Sequence, residues 1–327
     1  MNKSIKITLN YIFGPLVFIL LVYSLYNQLV KQKDIALIWL QIRIGWQHSL
    51  LMIILVLMLL NWFWEALKWK YLLKPLQHIS LGNAYKSILA GCTLSLLTPN
   101  RIGEFGGRIL FVKEGNRSKA VAMSVYAGLV QSWVTFLLGT GALIIIRDNA
   151  VLQSNNDTVK AIFSSSTFLI ISCIVLVLLS LIIFRAFFFI KFLLRFEKLK
   201  QKLAFLNILE NIGKKEMLRI MLLSVFRYFT FILQYLLMLK LIKVVIEPDL
   251  CIMLTAVFFL LMAIAPTIGL LELPVRASAG VVVYGLFSGN VLGIQLAVFG
   301  IWVINLVIPA IAGSMFMMKK KLINQLV

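Results

Sequence analysis

Apolar residues in this chain come in long, unbroken runs separated by short polar and basic stretches. Runs of ~20 apolar residues match the length of a helix that crosses a bilayer. Six read as full spans: residues 11–30, 49–67, 120–146, 166–190, 220–239 and 293–318. Barrel strands alternate over ~10 residues, so continuous runs argue against a β-barrel. Two further apolar regions, 81–112 and 251–290, are broken by proline, glycine and charge. The expected fold class is an all-α polytopic membrane protein. It would have about six full transmembrane helices plus two broken, re-entrant helical hairpins.

Composition narrows the function classes. Of 327 residues, 61% are hydrophobic and only 13% charged. The mean hydropathy is +0.97. Soluble domains carry roughly twice that share of charge, so a soluble enzyme, a disordered chain and a secreted disulfide scaffold are excluded. Cys92, Cys173 and Cys251 stand far apart inside apolar runs, and His48 and His78 have no ligand partners nearby. Neither a metal, a cofactor nor a disulfide framework is expected. Residues 11–30 lack a cleavage site and are expected to remain as the first helix.

The net charge of +20 would suggest nucleic acid on a soluble protein. Here the basic residues concentrate between apolar runs, which points to membrane topology instead. The stretch from Arg185 to Arg219 holds nine Lys/Arg, and the tail holds Lys319, Lys320 and Lys321. With both inside, 20 Lys/Arg fall in cytoplasmic segments and seven in outer loops. Both termini are then expected in the cytoplasm, in a bacterial-type cytoplasmic (inner) membrane. The chain reads as a single integral membrane domain, 1–327. Its approximate repeat halves are 1–190 and 191–327, with a basic cytoplasmic linker at 191–219.

The two broken regions echo each other. The first offers Pro99, Gly103, Glu104 and Arg108; the second offers Pro266, Gly269, Glu272 and Arg276. Each glutamate precedes an arginine by four residues, the spacing of a helical ion pair. Paired Pro/Gly-broken segments in corresponding halves point to an inverted repeat with a site near the midplane. Pro99 is expected to end one half-helix and a second to start near Gly103; Pro266 and Pro274 are both expected to break the second region. Ionisable groups at membrane depth are functional candidates by default, while a purely structural ion pair stays open for both. All four charges are expected to converge on one cavity, with Arg101 or Arg227 supplying surplus positive charge. Half-helix N-termini would add free N–H groups for an anion. For Arg227 the simpler reading is a side chain snorkelling to the cytoplasmic face. Glu65, Lys68, Trp69 and Lys70 read as an interface anchor. Asn61 and Gln131 read as interhelical hydrogen-bonding residues.

The run Thr98-Pro99-Asn100-Arg101-Ile102-Gly103-Glu104, with Arg108 after it, resembles the transmembrane flippase domain of lysylphosphatidylglycerol synthases. The stretch 66–73, Ala-Leu-Lys-Trp-Lys-Tyr-Leu-Leu, is similar to that family's basic-Trp-basic helix end. Ala265-Pro266 through Glu272 resembles its second motif, and Gly313 fits a small residue of its last helix. Gln131 and Asn305 stand at or near positions where many members carry a charge. The expectation is a stand-alone member without the soluble aminoacyl-transferase domain, from which lysyl-lipid synthesis is not expected. The resemblance implies movement of a lipid or lipid-linked substrate between leaflets.

The candidate substrate-binding residues are Arg101, Glu104, Arg108, Arg227, Glu272 and Arg276. The expected partner is an anionic lipid or lipid-linked head group, with no nucleic acid; a homo-oligomer stays open. The rival readings are a membrane-embedded transferase using Glu104 or Glu272 as general base, and an accessory subunit of a lipid-modifying enzyme. No nucleotide motif, His-rich motif or paired-Asp cluster supports an enzyme.

Overall fold

A computed structural model of the chain describes residues 40, 43, 48–96, 98, 101–153, 166–185, 195, 204–265 and 272–326. The expected first span, Pro99, Asn100, Pro266, Gly269 and residues 191–194 and 196–203 of the basic linker lie outside them. Ten helices organise the described chain: α1 (His48–Leu73), α2 (Leu81–Leu96), α3 (Gly103–Ile109), α4 (Arg117–Gln153) and α5 (Ser166–Phe184) come first. Then follow α6 (Lys214–Leu241), α7 (Pro248–Ile264), α8 (Glu272–Tyr284), α9 (Val291–Trp302) and α10 (Ile308–Leu326). No strand occurs among the described residues.

Five segments are long and apolar enough to cross a membrane: His48–Leu73, Glu114–Arg147, Ser166–Phe184, Lys214–Leu241 and Val291–Met317. They overlap the expected spans 49–67, 120–146, 166–190, 220–239 and 293–318, of which residues 186–190 lie outside the described residues. Large apolar side chains such as Val56, Ile145, Val177, Phe229 and Met315 face outward, as a lipid-facing surface requires. The chain is an integral membrane protein with an all-α core.

Helices α1 and α6 pack side by side and run antiparallel. Their cross-contacts descend in step: Ile54 meets Gln234, Asn61 meets Arg227, Lys68 meets Ser224, and Tyr71 meets Arg219. Each is followed by a helical hairpin, α2–α3 after α1 and α7–α8 after α6. The hairpins therefore start at opposite ends of the bundle. Their inner tips meet, because Arg101 in the first hairpin pairs with Glu272 in the second at 3.6 Å.

The first arm of each hairpin packs on the long helix that follows the other. Helix α2 lies antiparallel on α10: the Thr93 hydroxyl donates to Ala310 O at 2.7 Å, and Lys86 stacks on Phe316. Gly313 lets α10 approach the Leu89 carbonyl so closely that any Cβ there would collide with backbone. Helix α7 packs on α4 in the same way, where a Cβ at Gly139 would sit 2.7 Å from Leu260 Cβ and 2.9 Å from Ala256 O. Small residues permit this approach where no hydrophobic drive holds helices together in lipid.

The numbering carries the same relation. A shift of 168 residues takes Leu73 to Leu241, Leu96 to Ile264, Glu104 to Glu272 and Arg108 to Arg276. A shift of 174 takes Arg117 to Val291, Gln131 to Asn305 and Gly139 to Gly313.

One local expectation fails. Pro274 does not break a helix; it lies in the first turn of α8. A first-turn proline sacrifices no intrahelical hydrogen bond.

Candidate functional site

Four polar residues fall at the midpoints of four spans: Asn61, Gln131, Arg227 and Asn305. The last sits in a π-type turn at Val303–Val307 that joins α9 to α10, and such turns often mark functional sites. Arg227 Nε donates to Asn61 Oδ1 at 3.2 Å, and Asn61 Nδ2 donates to Asn305 Oδ1 at 3.3 Å. Gln131 Nε2 donates to Ser224 O at 3.4 Å. Asn61 and Gln131 thus hydrogen-bond between helices, as the sequence suggested.

Around this centre lies a buried charge network. Glu65, one turn beyond Asn61, receives Lys68 at 2.8 Å, Arg108 at 2.9 Å and Arg227 at 2.9 Å. Arg108 also pairs with Glu104 one turn earlier on α3, donates to Ser124 Oγ at 3.2 Å and stacks on Trp69. Lys68 reaches Ser224 Oγ at 3.3 Å and Gln131 Oε1 at 3.5 Å. Arg227 stacks between Trp62 and Phe231.

These contacts correct two expectations. Glu65, Lys68 and Trp69 are no interface anchor: all three are fully buried. Helix α1 runs on to Leu73, so Glu65 stands two turns inside its end rather than at the rim. Arg227 does not snorkel. Glu65 and Asn61 supply partners at mid-depth, and its side chain is only 15% exposed.

The hairpin tip follows from its own sequence. Thr98 Oγ1 donates to Leu94 O at 2.9 Å and accepts from Gly103 N at 2.7 Å, tying the end of α2 to the start of α3. Glu104 N and Phe105 N are taken by Arg101 O and Ile102 O. The expected free N–H groups at this half-helix start are therefore already engaged. Arg101 adopts φ 57°, a left-handed conformation that is costly for a residue with a Cβ. It is held there while its side chain pairs with Glu272 of the other hairpin. Behind the tip, Trp69 Nε1 donates to Ser87 Oγ at 3.0 Å, and Ser87 donates to Arg108 O at 2.8 Å. Gly107 leaves room for the Ala90 carbonyl.

The second pair forms as expected: Arg276 Nε donates to Glu272 Oε1 at 2.7 Å. The four hairpin charges do not share one cavity, however. Glu104 and Arg108 line a cavity of about 190 Å³ together with Glu65 and Lys68. Glu272 and Arg276 line a second one, of about 280 Å³. Trp62, Arg101, Gln131, Arg227 and Leu306 line both, so the two adjoin through a common wall. Arg101 belongs to that wall rather than standing free.

Counting the charges around both cavities, five cations (Lys68, Arg101, Arg108, Arg227, Arg276) face three carboxylates (Glu65, Glu104, Glu272). Two positive charges are left over. Glu65, Lys68 and Asn305 escape a reading by pairs four residues apart, because Glu65 meets its arginines across 43 and 162 residues of sequence. A polar residue at the centre of each apolar run was the signal available. No group of His, Cys, Asp or Glu suited to a metal occurs among the described residues.

Compared with known proteins, the chain matches a family model, described as the lysylphosphatidylglycerol synthase TM region, over residues 11–313. No curated protein and no solved structure matches it.

Proposed function

The chain belongs to the lysylphosphatidylglycerol synthase TM region family, and we propose that it moves a phosphate-bearing lipid head group between leaflets. The observation that carries this reading is the surplus of two positive charges around two adjoining cavities at the midpoints of antiparallel spans. Charge at that depth is expensive and is retained where a substrate passes. Arginine suits phosphate because its planar fork donates two parallel hydrogen bonds. The head group would cross along the cavities while its tails stay in lipid.

In this reading the two hairpins are re-entrant and enter from opposite faces of a bacterial-type cytoplasmic membrane, with both termini inside. They form an inverted repeat about an axis in the membrane plane. The antiparallel course of α1 and α6, the 168-residue shift between halves and the crossed packing of α2 on α10 and α7 on α4 all support it. The Arg101–Glu272 contact then closes the path between the tips, and an incoming phosphate competes for Arg101. A general-base role for either glutamate is less favoured, because Glu104 is held by Arg108 and Glu272 by Arg101 and Arg276.

Proteoliposomes carrying a fluorescent anionic phospholipid test the proposal. A membrane-impermeant quencher should bleach label beyond the outer-leaflet share when the protein is present. Bleaching that stops at the outer-leaflet share, as in protein-free vesicles, would overturn it.

A further inference from the structure

Glycines within these spans have a use where two helices touch, as at Gly139 and Gly313. Gly128 has no such use. It stands near the midpoint of the span Glu114–Arg147, it is exposed, and a Cβ there would meet nothing within 4 Å. Glycine is a poorer helix former than alanine, so with no helix packed on it Gly128 calls for another explanation. Gly141 on the same helix also meets nothing within 4 Å, yet it lines neither cavity. Gly128 lines the smaller one, with Glu104, Phe105 and Arg108 of the first hairpin. One turn before it, Val125 is 41% exposed, as a lipid-facing side chain is. One turn after it, Gln131 lines both cavities. Gly128 thus stands on the edge between the lipid side and the cavity side of α4, where the wall of the smaller cavity is bare. The other half fills the same place. The 174-residue shift takes Val125 to Phe299 and Gly128 to Trp302. Phe299 is 45% exposed, Trp302 lines the larger cavity, and the two rings stack with centroids 6.4 Å apart. Where one half has bare backbone, its counterpart has the largest side chain.

We propose that the gap at Gly128 is a lateral portal, through which the hydrocarbon chain of an anionic lipid runs from its phosphate in the cavity out into the bilayer, and that Trp302 is its shut counterpart in the other half. The inference rests on the transport reading and adds where the chain goes. A head group held at membrane depth with its chain in lipid needs a break in the cavity wall, and the break must border hydrocarbon. Gly128 meets both demands. Behind it, Lys68, Arg108 and Arg227 supply the charge that an anionic head group seeks; beside it, Val125 supplies an apolar rim. A soluble anion has no use for an opening toward lipid, so the arrangement favours a lipid phosphate as the occupant. With one portal open and the other shut, the path admits a lipid from one half only, as a carrier that serves one leaflet at a time requires.

Photolabelling of the purified full chain in detergent tests the portal without relying on transport. The probe is a phosphodiester lipid of one negative charge that carries a diazirine in the upper part of its acyl chain. It should label the α4 peptide that holds Gly128. Excess unlabelled anionic lipid should abolish that label, and a choline phospholipid should leave it. Label that spares this peptide, or that the choline lipid removes equally well, would overturn the portal. Trp302→Ala should add competitor-sensitive label at the end of α9, and its absence would overturn the role of Trp302. Gly128→Trp gives the first half the residue of the second. It should bring lipid movement in proteoliposomes down to that of protein-free vesicles, with the unfolding midpoint unchanged. Gly141→Trp adds the same bulk to the same helix away from both cavities and should leave movement and midpoint as in wild type; a loss shared by both tryptophans would overturn the portal, because bulk alone would then suffice. Full transport by Gly128→Trp would overturn the portal and leave the transport reading, and a lowered midpoint would overturn it by showing that the space beside Gly128 is filled. Competitor-sensitive label at Gly128 in a wild-type protein that moves no lipid would leave the portal standing as a lipid-binding site and remove the transport reading.

Discussion

Replacing Glu65 with glutamine tests how the buried network is held together. The change is nearly isosteric, so packing is retained and charge alone is removed. Glu65 is 3% exposed and faces three cations at 2.8–2.9 Å. Breaking one buried ion pair by removing a partner typically costs about 3–5 kcal/mol. Glu65→Gln leaves Lys68 and Arg227 without a carboxylate, and Arg108 with Glu104 alone. Lysine can shed its proton when stranded, whereas arginine cannot, so relief comes only at Lys68. A loss of about 3–5 kcal/mol is therefore a lower bound for a natively folded chain. It should lower the unfolding midpoint by on the order of 5–15 °C. Fluorescence-detected size exclusion after heating in detergent measures this. The double variant Glu65→Gln, Lys68→Met removes one charge of each sign and should recover a good part of the loss. A Glu65→Gln protein as stable as wild type, or a double variant worse than the single one, would refute the reasoning.

Arg108→Lys keeps the charge but loses the fork that reaches Glu65, Glu104 and Ser124 at once. Transport in proteoliposomes should fall at least tenfold while the protein still folds, and full transport would leave Arg108 a purely structural role. Glu272→Gln frees Arg101 and Arg276 and should alter transport more than stability, because these two side chains are 37% and 21% exposed and water reaches them once freed, unlike Arg108 and Lys68 beside Glu65; thermal melts beside transport rates check this. Gly313→Ala and Gly139→Ala should each cost about 1–3 kcal/mol by forcing backbones apart. Gly141→Ala, with nothing within 4 Å, should be neutral or slightly stabilising in the same melts. For topology, cysteine placed at Glu114 should label from one face and cysteine at Val245 from the other, in a background with Cys173→Ser. Labelling of both from one side would contradict the scheme.

Much of the fold was legible because lipid imposes a simple rule. A spanning helix needs a continuous apolar run, and the expected spans 49–67, 120–146, 220–239 and 293–318 each lie within or close to a described helix. The break at Gly103 and the two glutamate–arginine pairs were legible because their spacing is local. Glu65 was not. It stands near the end of an apolar run, beside lysine and tryptophan, as an interface residue does. Only the length of α1 and arginines distant in sequence place it inside. Arg227 misled for the same reason: a lone cation in an apolar run looks like one that must escape, until its partners on α1 are known. The separation into two cavities was illegible, because Trp62, Gln131 and Leu306 form the common wall from three different helices.

The most direct test of the central claim is a structure of the protein in a nanodisc containing the anionic lipid it moves. The account predicts phosphate density in the cavity bounded by Arg101, Arg227 and Arg276, level with Asn61 at the middle of α1. Phosphate found only at the two membrane surfaces, with that cavity free of lipid, would contradict it.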